Sequence, residues 1–93
     1  MKIKIAEFAG SFAENKDVAK DLRENYISPS QEKGEVIDLN FKGVDSTTQS
    51  FVHALISEIF QTRGEKALDL FEFSDCNKPV KSLITTVINY SLE

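Results

Sequence analysis

Residues 35–60 read EVIDLNFKGVDSTTQSFVHALISEIF, and three structural signals follow one another within them. From Glu35 to Phe41 apolar and polar residues alternate. Ile37, Leu39 and Phe41 fall on one face and Asp38 and Asn40 on the other, the period-two signature of a strand with one wet side. Lys42-Gly43 then turns the chain into a cluster of hydroxyl residues, Ser46, Thr47, Thr48 and Ser50, beside Asp45. Beyond it Phe51, Val52, Leu55, Ile56, Ile59 and Phe60 form a broad apolar stripe at helical spacing. Arg63-Gly64 ends that helix, since a cation suits the negative end and glycine suits a left-handed cap.

The hydroxyl cluster therefore opens a helix. A helix start carries unpaired N–H groups and the positive end of the helix dipole, which together favour phosphate or another acceptor-rich group. A structural explanation stands beside that one. Ser46-Thr47-Thr48-Gln49 fits a capping box, with Ser46 accepting from the backbone and Gln49 reaching back. Capping accounts for Ser46 and Gln49 alone. Thr47, Thr48 and Ser50 are mediocre helix formers where alanine or glutamate would do better.

Outward from this stretch, elements alternate. Lys2 to Ala6 alternates as a first strand, broken by Gly10-Ser11. A helix over Lys16 to Ile27, capped by Asn15, carries Val18, Ala19, Leu22 and Tyr26, and Ser28-Pro29 is expected to stop it. Ala67 to Phe73 reads as a third strand with Phe71 and Phe73 on one face and Leu68 and Leu70 on the other. Val80, Leu83, Ile84, Val87 and Ile88 mark a last amphipathic helix, with Pro79 in its first turn. The sum is a βαβαβα chain of the α/β class with a mostly parallel or mixed sheet. Lys2, Lys4, Asp38 and Asn40 make one sheet face polar, so helices are expected mainly on the other.

Ninety-three residues suit a single domain, 1–93. Hydrophobic residues at 41% and charged residues at 28% are ordinary globular values. No apolar run reaches the ~20 residues of a membrane span, and the charged N-terminus does not read as a signal peptide. The net charge is −4, with lysine and arginine scattered, so nucleic acid is not an expected partner. A single cysteine, Cys76, fits a reducing, cytoplasmic setting.

Other chemistry has little to build on. His53 is the single histidine, so neither a histidine metal site nor a triad is expected. Cys76 precedes a helix but has no CxxC partner and reads as a packed small side chain. Four scattered glycines form no phosphate loop. Asp38, Asp45 and Asp69 read as solvated strand ends. No cofactor, no metal and no turnover are expected. The two-sided apolar character of the third strand suggests a protein partner and leaves a homodimer open.

The turn at Asp45-Ser46-Thr47 resembles the regulatory turn of STAS domains, the fold of anti-sigma-factor antagonists. There an Asp-Ser-Gly or Asp-Ser-Ser-Gly sequence carries a serine phosphorylated by a partner kinase; here the glycine is absent. The chain is more similar still to a bacterial STAS-like family of unknown function. Ile37-Asp38-Leu39, then Gly43-Val44, the hydroxyls Ser46 to Thr48, and Ser50-Phe51 opening a long helix carry that likeness, which extends over most of the chain from Phe12 onward. The resemblance implies a STAS-like fold and a regulatory, protein-binding role, with Asp45, Ser46, Thr47, Thr48 and Ser50 as phospho-acceptor or partner-binding candidates. It also implies a histidine-kinase-like ATPase as partner. The alternative from another class is a small nucleotide- or phosphate-binding protein or enzyme that uses the same helix start as an anion site.

Overall fold

A computed structural model describes all residues, 1–93. Strand β1 (Lys2–Lys4) leads directly into a short helix α1 (Ile5–Ala9), and β2 (Phe12–Ala13) follows. Helix α2 occupies residues 16–32, β3 Ile37–Asn40, β4 Ser46–Thr47 and helix α3 residues 49–63. A 3₁₀ segment (Gly64–Leu70) precedes β5 (Phe71–Ser74), and helix α4 (Lys78–Ser91) closes the chain. All strand pairs are parallel. The main sheet has the order β1-β3-β5, and β2 pairs with β4 in a separate two-stranded ladder.

The alternation read from sequence sorts the main sheet into two faces. Ile3, Leu39 and Phe73 share one register row, and Ile37 pairs with Phe71. These join a single core with Leu22, Ile27, Phe51, Leu55, Ile56, Phe60, Val80 and Ile84 from the three long helices. The opposite face carries the rows Lys2–Asp38–Glu72 and Lys4–Asn40–Ser74. Helices thus cover the apolar side of a small parallel sheet, the α/β arrangement expected.

Several boundaries differ. Ile5 and Ala6, expected in the first strand, belong to α1. Alanine and glutamate favour helix there, and Gly10 at φ 76 ends it by donating to the Ala6 carbonyl at 2.9 Å. Helix α2 does not stop at Ser28-Pro29 but runs on to Glu32. A π turn at Arg23–Ile27, in which Ser28 N–H donates to the Arg23 carbonyl, widens the helix just ahead of Pro29. That widening relieves the clash of a proline ring with the carbonyl four residues back. Residues 64–70 are 3₁₀ rather than strand because Gly, Glu, Lys, Ala and Asp are weak strand formers. Leu68 and Leu70 therefore do not give β5 a second apolar face; Glu72 sits there, exposed.

Helix α3 has a π turn of its own at His53–Ser57, and α2 packs against it there. Arg23 makes the link. Its Nη1 donates to the Ala54 carbonyl at 2.9 Å and its Nε lies 3.3 Å from Glu58 Oε2. On the polar sheet face, Asn40 is 3% exposed yet fully employed. Its amide donates to Ser74 Oγ at 3.0 Å and Asp75 Oδ2 at 2.7 Å and accepts from Lys42 N–H at 3.1 Å. Ser74 in turn donates to Asp38 Oδ1 at 2.6 Å. Asp38 is thus a half-buried member of a hydrogen-bonded chain rather than a solvated strand end, as buried polar groups require.

Candidate functional site

The hydroxyl cluster divides by position. Gly43, at φ 85, lets the chain leave β3 tightly, and Val44 is buried beyond it. Asp45 N–H then donates to the Ser11 carbonyl at 2.7 Å, and Ser46 and Thr47 pair with Phe12 and Ala13. Thr47 Oγ1 donates to the Ala13 carbonyl at 2.7 Å. Thr48 is the N-cap of α3, accepting from Phe51 N–H on its hydroxyl at 3.1 Å. Ser46 is therefore not the cap and Gln49 closes no capping box. The β2–β4 ladder holds Ser46 in extended backbone, so the helix opens two residues later than the motif suggested.

A second helix start anchors the same loop. Asn77 caps α4 by accepting from Val80 N–H at 2.9 Å, and its amide donates to the Asp45 carbonyl at 2.8 Å and the Val44 carbonyl at 3.4 Å. Residues 44–48 are thus held from both sides, by β2 and by Asn77. What remains free is small and specific. Asp45, Ser46 and Ser50 are exposed, whereas Thr47 and Thr48 are half-buried and their hydroxyls serve the fold.

Ser50, in the first turn of α3, lines a cleft of about 380 Å³ with Lys16, Gln49, His53, Ala54 and Tyr90. The cleft joins three helices. Asn15 caps α2 through Asp17 and Val18 N–H groups at 2.9 and 3.4 Å, which sets Lys16 at its first position. His53 stacks on Tyr90 of α4 with ring centroids 6.0 Å apart and planes 17° from parallel. His53 and Ala54 also begin the π turn of α3, a distortion that concentrates at functional sites. A hydroxyl at a positive helix end beside a lysine ammonium suits the addition or binding of a phosphoryl group. Asp45 lies outside this cleft, and Ser46 faces solvent from β4.

Lys16 and Tyr90 were not among the residues the sequence picked out, and His53 entered only as a lone histidine with no partners for a metal site or a triad. Lys16 had one signal, its place directly after a cap. Tyr90 had none, since only the packing of α4 on α3 brings it to Ser50.

Cys76 lies elsewhere, half-buried beside α4. Burial pushes its thiol above the ordinary value, with Asp38 and Asp75 adding to the rise and Lys81 opposing it. Such a thiol is a poor nucleophile at neutral pH. No three His, Cys, Asp or Glu side chains gather as a metal site, and no helix is long and apolar enough to cross a membrane.

Comparison with curated proteins and with solved structures returned no match. A family model described as the STAS-like domain of unknown function (DUF4325) matches residues 18–81. The match includes α2 from Val18 onward, β3, the hydroxyl turn, all of α3 and β5, and leaves Lys16 and Tyr90 of the cleft outside it. With well over half its length matched and a parallel α/β sheet backed by helices, the chain belongs to the family of STAS-like domains of unknown function.

Proposed function

We propose that this domain is a regulatory protein-interaction module without turnover of its own, switched by phosphorylation of Ser50 at the start of α3. The observation that carries the reading is the division of the hydroxyl cluster. Thr47 and Thr48 have their hydroxyls committed to Ala13 and Phe51, whereas Ser50 is exposed at the mouth of the Lys16 cleft. A partner histidine-kinase-like ATPase would transfer the γ-phosphoryl group of ATP to Ser50 Oγ, with ADP leaving and the hydroxyl proton passing to a base on that partner. The phosphoserine adds about −1.5 to −2 charges. Lys16 and the helix dipole receive them within the cleft, so the fold survives while the local surface gains negative charge. A partner that docks over α3 on its unmodified surface then loses affinity by repulsion and desolvation.

The test is incubation of the purified domain with the histidine-kinase-like ATPase of its native host and ATP, followed by intact-mass and fragment mass spectrometry. The expected result is one phosphoryl group on Ser50, absent in Ser50→Ala and present in Ser46→Ala. Phosphate on Ser46 alone, or none on either residue, overturns the assignment. The anion-site reading has the same cleft in its favour, and a phosphate and nucleotide titration separates the two. A ligand at a hundred times its dissociation constant adds about 2.7 kcal/mol of stability. A gain of that order for a nucleotide, abolished by Lys16→Ala, would favour a nucleotide binder over the switch.

A further inference from the structure

At the far edge of the main sheet the molecule carries a groove that the Ser50 cleft does not use. β1 is an edge strand, since the sheet order is β1-β3-β5. Asp38 N–H donates to the Met1 carbonyl at 2.8 Å, and Ile3 lies in register with Leu39. Backbone groups of alternate residues point to alternate sides of a strand, so the N–H and C=O of Lys2 face away from β3. Along this free edge runs a groove of about 460 Å³ lined by Met1, Lys2, Ile3, Lys4, Glu7, Phe8 and Tyr26. Phe8 is 46% exposed and Tyr26 40%, and their rings pair with centroids 5.9 Å apart.

An unpaired edge beside an apolar wall is a template for strand addition. The charge pattern selects what is added. Lys2 and Lys4 project on the polar face of β1, and Glu7 is the one acidic residue of the groove, in a chain whose net charge is −4. Opposite charges favour one another across neighbouring strands. The sheet already follows that rule on the inner side of β1, where Asp38 sits opposite Lys2. The outer positions beside Lys2 and Lys4 have no such partner within the chain. A second copy pairing through the same edge would set lysines against lysines, which disfavours it.

We propose that the free edge of β1 accepts an extended segment of a partner protein as a fourth strand of the sheet, with acidic and apolar side chains in alternation. The acidic side chains meet Lys2 and Lys4, the apolar ones meet the Phe8–Tyr26 wall, and the backbone pairs with Lys2. Depth comes from the side chains and register from the backbone. This surface stands independently of the Ser50 switch, and Ser50→Glu leaves it intact.

The probe is an acetylated Glu-Val-Glu-Val-Glu-Val peptide titrated into the isotope-labelled domain at low salt and followed by amide NMR. Expected are shifts at Lys2, Ile3, Lys4, Phe8 and Tyr26, and slowed hydrogen exchange at Lys2. A Lys-Val-Lys-Val-Lys-Val peptide should not bind. Lys2→Glu with Lys4→Glu, both exposed and outside the core, should weaken the acidic peptide by about tenfold and admit the basic one. An acidic peptide N-methylated on its pairing amides should lose binding while keeping its side chains. No shift with the acidic peptide, shifts that map elsewhere, or equal binding of both peptides each overturns the proposal. So does undiminished binding of the N-methylated peptide. Self-association of the parent chain that Lys2→Glu abolishes would instead assign the edge to a second copy and overturn it as well.

Discussion

The starts of α3 and α4 are built from the same device and set in different surroundings. Each has a polar N-cap that accepts from a backbone N–H three residues on, Thr48 from Phe51 and Asn77 from Val80. Asn77 has nothing left over, because its amide also holds the Val44 and Asp45 carbonyls. Pro79 behind it has no N–H to offer. At α3 the cap is satisfied locally, and the residue two positions further on, Ser50, faces a cleft with a lysine on its wall. A helix start whose side chains are consumed by the fold is an anchor; one with an unspent hydroxyl beside a cation can be a switch. The difference lies in what surrounds the cap, not in the cap.

This contrast can be broken by substitution. The largest expected effect is Asn77→Ala, which removes a cap and two tertiary hydrogen bonds together. It should cost about 2 kcal/mol, read as a lower urea midpoint, and loosen amide protection at Asp45 and Ser46. If Asn77→Ala proves no more damaging than Thr48→Ala, the anchor role of α4's start is wrong. Thr48→Ala should cost about 1 kcal/mol through loss of the α3 cap, and Thr48→Ser should recover most of it.

Thr47→Val should cost less, under about 1 kcal/mol, because the Ala13 carbonyl keeps the Thr48 N–H as a donor. Smallest of all, Ser46→Ala and Ser50→Ala should each stay within about 0.5 kcal/mol of the parent, as exposed substitutions do. A cost near that of Thr48→Ala for either serine would mean that it is structural and would weaken the switch. Outside the loop, Cys76 supplies a pH test. Its thiol pKa is raised in the folded state, chiefly by burial. The folded chain therefore holds that proton more tightly than the unfolded one. The resulting stability is complete below the ordinary thiol range and is lost as the pH climbs through the folded value. Urea midpoints should fall more steeply at alkaline pH for the parent than for Cys76→Ala, with the two slopes equal near neutrality.

Much of this molecule was legible because burial and periodicity agree. The stripe from Phe51 to Phe60, the alternation in Ile37-Asp38-Leu39 and the spacing of Val80, Ile84 and Val87 each reappear as core. Asn15 and Pro79 took the cap and first-turn positions their chemistry favours. The misreadings share one cause. Ser46 matched a capping motif, but the ladder to Phe12 holds it extended, and a two-residue strand pair leaves no periodic trace. Pro29 matched a helix stop, but a π turn that depends on packing between α2 and α3 makes room for it.

The sequence by itself determined the order of the three main-sheet strands and the three long helices, the polar and apolar faces of the sheet, and the place where hydroxyl residues meet a helix start. These follow from local hydrophobic period and turn chemistry, which act over a few residues and need no distant partner. Only the tertiary structure decided which hydroxyls are spent, which are free, and which free one lines the cleft. That choice depends on the Ala13 carbonyl, on Asn77 reaching back across the fold, and on Lys16 and Tyr90 meeting around Ser50. Those residues are far apart along the chain. The burial of apolar surface that packs three helices on one sheet brings them together, and no short-range pattern records it.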